Sequence, residues 1–224
     1  SIIKGSPALF EKEYMKHVAA YHSTDDLEVR RKYYYALRNK YALNHFTSNS
    51  IENSAALFYM LQTGFNGIWQ VNKNTNNRFG TPCGLLKQDK VVYDKDNVRE
   101  WSKMLQRCDI MTGDFSETLN KVDAETFVFM DPPYRGCFTQ YGTDFDDDVQ
   151  MSVIKYLNAS VDKGAFALMS NRDTGDGFFE KVVGDNKMAY FDVTYTAGRR
   201  KKVSDGYEAK KATEILMIGS KTND

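Results

Sequence analysis

The spacing of apolar side chains changes character twice along this chain of 224 residues. Between Ser6 and about Phe46 it follows a helical period. Ser6 and Pro7 form a cap with proline in the first turn, and Leu9, Phe10, Met15 and Val18 recur behind them at roughly helical intervals. The stretch DLEVRRKYYYALRNKYAL sets Leu27, Tyr34, Leu37 and Tyr41 on one side and charges on the other, which predicts a second amphipathic helix. Residues 51–63, IENSAALFYMLQT, predict a third, more apolar one. The period is then lost. Residues 64–84, GFNGIWQVNKNTNNRFGTPCG, are dense in Gly and Asn, which predicts a hairpin or extended loop between short β segments.

From residue 97 short apolar runs alternate with helical patterns. A helix is expected from Val98 to Gln106, a strand in CDIMTGDF, a short helix over 116–121 and a strand ending in FVFMD. A helix from about Asp146 to Val161, a strand AFALMS over 165–170 and a helix near 176–183 follow. Two last strands, MAYFDVTYTA and TEILMIGS, flank the charged loop GRRKKVSDGYEAKK. Alternation of this kind predicts an α/β fold, with helices on a largely parallel sheet and an antiparallel pair at its end. The expected division is a helical region over 1–96, carrying the hairpin 64–84, and an α/β region over 97–224.

Composition narrows the partners. Thirty basic and thirty acidic residues cancel, so any attraction for a polyanion must come from local clustering. Three cysteines, widely separated and without CxxC spacing, read as reduced thiols, and no metal site is expected. No apolar run reaches membrane length and SIIKGSPALF is no signal peptide, so a soluble, cytoplasmic protein is expected.

The candidate chemistry lies at the end of the run Thr126 to Met130, which reads as a strand buried on both faces. Asp131, Pro132, Pro133 and Tyr134 follow it. Proline cannot donate to a sheet ladder, so the strand must stop and a stiff loop begins at its carboxyl end, where open α/β sheets bind ligands. The Asp131 carboxylate and the Pro132 carbonyl are two acceptors at fixed spacing, and Tyr134 offers a flat face. The set suits a planar ring bearing an exocyclic amine; a plain proline turn with a surface tyrosine is the alternative. Phe65 and Trp69, with Arg78 nearby, make 64–84 a candidate binding loop, against an ordinary structural hairpin.

Other features are set beside a bland reading. Cys83, in Thr81-Pro82-Cys83-Gly84, has the Pro-Cys pattern of a ring-carbon nucleophile, but the one Glu-Asn pair, Glu52-Asn53, precedes it within a helix. The cluster Arg199, Arg200, Lys201, Lys202 is either a solvated loop or a phosphate clamp. His17, His22 and His45 lack metal spacing, and the acids of DFDDD over 144–148 complement a helix dipole.

Taken together, DPPY, GFNGIWQVN followed by RFGTPCG, ALMSNRDT, and GRRKK before TEILMIG resemble the Dam-type DNA adenine methyltransferases over roughly residues 50–220. The resemblance implies a Rossmann-like S-adenosylmethionine-dependent core with a helical and β-hairpin target-recognition insertion. It implies methylation of an adenine flipped out of double-stranded DNA, in restriction-modification or a related role. Asp131, Pro132, Pro133 and Tyr134 would be catalytic. Phe65 and Asn66 would wedge beside the target base, Ile68 and Pro82 would touch base edges, and Gln70 would be the main base reader. Trp69, Arg78 and the cluster Arg199 to Lys202 would complete the DNA surface. Asp114, Phe115 and Asp131 would meet the adenine end of S-adenosylmethionine.

Gln70 stands where GATC-specific members carry arginine, so another recognition sequence is expected. NKNTNN lengthens the hairpin turn. An FxGxG loop and an FxKxxGGK segment, which hold much of the cofactor in this family, are absent from the sequence. The expectation is a core incomplete at its N-terminus, completed by a missing segment or a complementary chain. The alternative is a catalytically silent DNA-binding module.

Overall fold

In a computed structural model, residues 2–42, 50–72, 78–86, 93–136, 145–195, 201–203 and 206–221 are described; over 201–203, 206–208 and 210 the description covers backbone only. Arg199, Arg200, His45 and most of NKNTNN lie outside the described residues. The chain forms two compact units that divide between Met111 and Thr112.

The first unit is helical. It holds α1 (Ile2–Gly5), α2 (Pro7–His22), α3 (Leu27–Ala42), α4 (Ile51–Thr63) and α5 (Lys95–Leu105). Pro7 opens α2 as its position predicts, but the Ser6 side chain makes no capping bond, whereas the Ser50 side chain caps α4 by accepting from Asn53 N at 3.0 Å. The core between α2, α3 and α4 is rich in tyrosine: Tyr14, Tyr21, Tyr34 and Tyr59 are all at most 1% exposed. Rings this large bury much apolar area while keeping a polar end that needs a partner. Tyr34 Oη donates to Thr81 O at 2.9 Å and Tyr14 Oη to Gln62 Oε1 at 2.8 Å.

Helix α5 belongs to this unit, packing on α1 and α2. Lys4 Nζ donates to Cys108 O at 2.9 Å, which ties the chain to α1 beyond the end of α5. The compact helical unit therefore extends through α5 to Met111.

A hairpin is built on the end of α4. The 3-10 turn Phe65–Gly67 leads to β1 (Val71–Asn72), antiparallel to β2 (Arg78–Phe79). Phe65 N donates to Pro82 O at 2.9 Å and Gly84 N to Thr63 O at 2.8 Å, so both arms are fixed to the helix end. Gly64 is required there, because a Cβ would lie 2.6 Å from Met60 O.

The second unit contains the 3-10 turn Phe115–Lys121, β3 (Phe127–Met130), α6 (Asp147–Asp162), β4 (Phe166–Asp173), α7 (Phe178–Val182) and β5 (Lys187–Tyr195). It ends with β6 (Lys201–Val203), β7 (Gly206–Glu208) and β8 (Lys210–Gly219). The main sheet runs β3-β4-β8-β5; β3 and β4 are parallel, while β4–β8 and β5–β8 are antiparallel. The class is thus mixed α/β with a mixed sheet, and among the described strands one parallel pair replaces the largely parallel sheet expected. Strands β6 and β7 form a separate antiparallel pair, with Lys201 and Lys202 in its ladder.

The face under α6 is the core. Val153, Ile154 and Leu157 pack with Ala167, Met169, Ile215, Met217 and Phe179. Gly219 lets the helix approach, since a Cβ there would lie 2.5 Å from Val161 Cγ2.

Two strand expectations are overturned. Residues 109–112 form no strand, and Ile110 and Met111 are about half exposed. A strand exists only where a ladder satisfies its amides, and β3 pairs only with β4 among the described strands. Nor is β3 buried on both faces: Phe127 and Phe129 are 60% and 58% exposed. Alternation leaves one side of an edge strand bare when nothing covers it.

His17 Nδ1 lies 2.7 Å from Tyr33 Oη, and its ring packs near Tyr59. Burial lowers its pKa to about 4 from an ordinary 6.5, with Glu13 opposing and Lys16 assisting. Between those values the unfolded chain binds a proton that the folded chain refuses. Stability contributed by this site is therefore complete above about pH 6.5 and declines as pH falls toward about 4. Thermal unfolding across this window should show a shallower pH dependence in His17→Gln than in the wild type. Parallel losses in the two proteins would remove His17 as the cause.

Candidate active site

The loop behind β3 is held from three directions. Asp131 is exposed, and its Oδ1 accepts from Ser170 Oγ on β4 at 2.7 Å. That hydrogen bond follows from the parallel register, which sets Met130 beside Met169 and brings Ser170 level with the first loop residue. Tyr134 is half-buried. Burial raises its phenol above the usual range, Ser170 opposes this by hydrogen bonding, and Asp131 adds to it by charge and hydrogen bonding.

Beneath the loop lie two buried amides. Gln150 and Asn171 are each 0% exposed. Gln150 Nε2 donates to Pro133 O at 2.7 Å, and Asn171 Nδ2 donates to Gln150 Oε1 at 3.0 Å. Asn171 Oδ1 accepts from the backbone of Arg135 at 2.9 Å and of Arg172 at 2.8 Å.

Arg135 closes the far end. Its Nε and Nη2 meet the two oxygens of Asp147 at 2.6 and 2.8 Å, while Nη1 donates to Asp176 at 2.5 Å and to Thr174 at 2.8 Å. The guanidinium also lies 4.2 Å from the centre of the Phe178 ring. Hydrogen bonding to Arg135 holds both Asp147 and Asp176 below the usual carboxylate range. Asp146 caps α6 by accepting from Val149 N at 3.0 Å, so of the acids in DFDDD one caps and the next pairs with arginine.

A cavity of about 540 Å³ opens beside the loop, walled by Phe115, Phe129, Asp131, Pro132, Phe145 and Tyr156 among others. Two of the three residues expected to meet a cofactor, Phe115 and Asp131, thus share one cavity. Asp114 does not line it. Its carboxylate caps the following turn, accepting from Ser116 N at 2.9 Å and Ser116 Oγ at 2.5 Å, and those bonds lower its pKa.

The hairpin residues expected to touch DNA fall on the first unit, whereas Lys201 and Lys202 of the basic cluster lie on β6 of the second. Phe65, Ile68 and Trp69 are 50%, 41% and 39% exposed on the hairpin, beside Gln70, Arg78 and Pro82. Asn66 adopts a positive φ of 53°, which a short polar side chain tolerates better than most. Trp69 is braced by Phe79, with ring centres 5.0 Å apart. The thiol of Cys83 is pushed up by burial, the reverse of what a nucleophile needs.

Sequence reasoning missed Ser170, Asn171, Gln150 and Arg135 as members of the site. For Gln150 a signal existed: it shares a helical face with Val153, Ile154 and Leu157, an amide on an apolar stripe.

An acid-diproline-tyrosine loop at the carboxyl end of a parallel strand, beside an aromatic-walled cavity, places this chain among the methyltransferases. It belongs to the D12 class N6 adenine-specific DNA methyltransferase family, whose pattern it matches over residues 7–207. It is similar to the type II methyltransferase M.MjaIII of Methanocaldococcus jannaschii, at 33% identity over 72% of this chain and 57% of the relative. Similarity to the type II methyltransferase M1.LlaDCHI of Lactococcus lactis subsp. cremoris is 31% over 85% of this chain and 66% of the relative. The retron Ec67 DNA adenine methylase of Escherichia coli is 28% identical over 83% and 61% respectively. The chain thus spans about six-tenths of the length of these relatives.

Arg135→Lys keeps the charge but loses the planar fork that meets both Asp147 oxygens. It should lower the unfolding temperature by about 2–4 °C, the range for a loss near 1 kcal/mol in a protein of this size. An unchanged temperature would mean that the arginine contributes charge alone.

Proposed function

We propose that this chain carries the target-recognition and catalytic-loop parts of a site-specific DNA methyltransferase acting on the exocyclic amine of adenine. The observation that carries this reading is the Asp131 carboxylate, exposed at the end of β3 and oriented by Ser170, in a chain of this family.

The chemistry follows from the acceptors. The amine lone pair of adenine is delocalised into the ring and must be localised before it can attack. Asp131 and the Pro132 carbonyl would accept the two amine hydrogens, turn the nitrogen toward tetrahedral geometry and stabilise the positive charge that develops. Asp131 would then take up the proton released, and Tyr134 would stack on the base. A base inside a duplex cannot reach such a loop, so the target must be flipped out of double-stranded DNA.

S-adenosylmethionine, when bound, supplies a methyl group on an electrophilic sulfonium. Phe115, Phe129 and Phe145 give the 540 Å³ cavity aromatic walls that fit a planar adenine, with Asp131 as an acceptor at its edge. The units would correspond to a Rossmann-like core and a recognition insertion. Phe65, Asn66, Ile68, Trp69, Gln70, Arg78 and Pro82 would face the bases, and the Arg199 to Lys202 cluster would meet phosphates.

A second reading is favoured by one observation. Among the described residues β3 has an unpaired edge, with Phe127 and Phe129 exposed beside the cavity, which suits a chain that acts with a further segment or a complementary chain. Exposed aromatic strand edges invite pairing.

In a full-length version of the enzyme, Asp131→Ala should abolish methylation while DNA binding survives, because the carboxylate acts on the reacting amine and hardly on the duplex. A variant retaining more than about a tenth of wild-type turnover would refute the role, since one positioned acceptor is typically worth 10²-fold or more.

Calorimetry separates the two readings. The sequence has no glycine-rich strand-to-helix turn of the kind that presents amides to the methionine end of the cofactor. The 224-residue chain alone should bind S-adenosylmethionine more weakly than the low micromolar range. A tighter constant would show that this chain holds a complete cofactor site.

A further inference from the structure

We propose that Gln150 and Asn171 are positioning residues that hold the acceptor loop by its backbone, an inference that rests on the methyl-transfer reading of that loop. Pro132 and Pro133 carry no N–H, so the segment that follows Asp131 has lost two successive donors with which a loop normally fixes itself. The side-chain amides supply what is missing. Gln150 reaches up from α6 to Pro133 O, and Asn171 reaches across from β4 to the N–H of Arg135, so the two grip the loop on either side of Tyr134. Their mutual bond at 3.0 Å makes the two grips one unit. Neither side chain is exposed to water.

The donors and acceptors run in one sense. Asn171 uses its oxygen on Arg135 N and Arg172 N and its nitrogen on Gln150, which leaves the Gln150 oxygen occupied and its nitrogen free for Pro133 O. A carboxylate at position 150 would still accept from Asn171 but would face the Pro133 carbonyl with a second acceptor. A methionine there would fill the volume and donate nothing. Positioning and packing therefore predict different outcomes from the same pair of variants.

The test compares Gln150→Met, Gln150→Glu, Asn171→Asp and Asn171→Leu in the full chain, with amide hydrogen exchange, DNA affinity and turnover as readouts. The Arg135 amide should exchange roughly tenfold faster or more in Asn171→Leu, where its acceptor is gone, and stay protected in Asn171→Asp, where the acceptor oxygen remains. Gln150→Met and Gln150→Glu should both reduce kcat roughly tenfold or more, with KM for DNA unchanged.

Wild-type turnover in Gln150→Met would overturn the positioning role and leave Gln150 a packing residue. Equal exchange in the two Asn171 variants would do the same for Asn171. Should turnover require the segment or chain that completes the cofactor site, the kcat comparison is made in that assembly, and the Arg135 exchange in the isolated chain still decides whether the amides hold the loop.

Discussion

A backbone that passes through two consecutive prolines cannot hydrogen-bond itself into shape, and the second unit is arranged around that deficit. The strand before Pro132 must end, and the loop after it must borrow donors and acceptors from elsewhere. The partners come from β4, through Ser170 and Asn171, and from α6, through Gln150 and Asp147. A buried amide left unpaired costs roughly 1–3 kcal/mol, so Gln150 and Asn171 require the loop as much as the loop requires them. Helix α6 must then sit close to the sheet, which the absence of a side chain at Gly219 allows.

The two units solve their packing in different ways. The helical unit buries tyrosines, two of which, Tyr34 and Tyr14, reach a backbone and a side-chain acceptor, and it presents aromatic side chains on a hairpin clamped to the end of α4. The α/β unit buries aliphatic side chains, methionine and Phe179 under α6 and places other aromatic residues on β3 and around the cavity. One unit thus offers an exposed surface suited to stacking, and the other offers a fixed set of acceptors.

What could be read from the sequence was whatever covalent geometry or helical period imposes locally. The DPPY loop was legible because proline ends a ladder wherever it stands, and α2, α3 and α4 were legible because their apolar positions repeat. The expected strand over 108–115 failed because a strand is a relation between segments, and the run CDIMTGDF carries no information about its neighbour. Burial of β3 failed for the same reason: Phe127 and Phe129 look like core residues until the layer that would cover them is found absent among the described residues. Of the candidate site, Asp131 and Tyr134 stand out in the sequence as a carboxylate and a flat ring beside two prolines. Ser170, Asn171 and Gln150 do not, since their roles arise from the parallel register of β3 with β4 and from the placement of α6.

Both tryptophans of the chain, Trp69 and Trp101, belong to the helical unit. Indole emission therefore reports on one half of the molecule and is blind to the half that carries the acceptor loop. Denaturation followed by indole fluorescence reports on the hairpin and α5 of the helical unit, whereas far-ultraviolet circular dichroism follows both units. The separation between the two curves would measure how far the halves melt as one cooperative body.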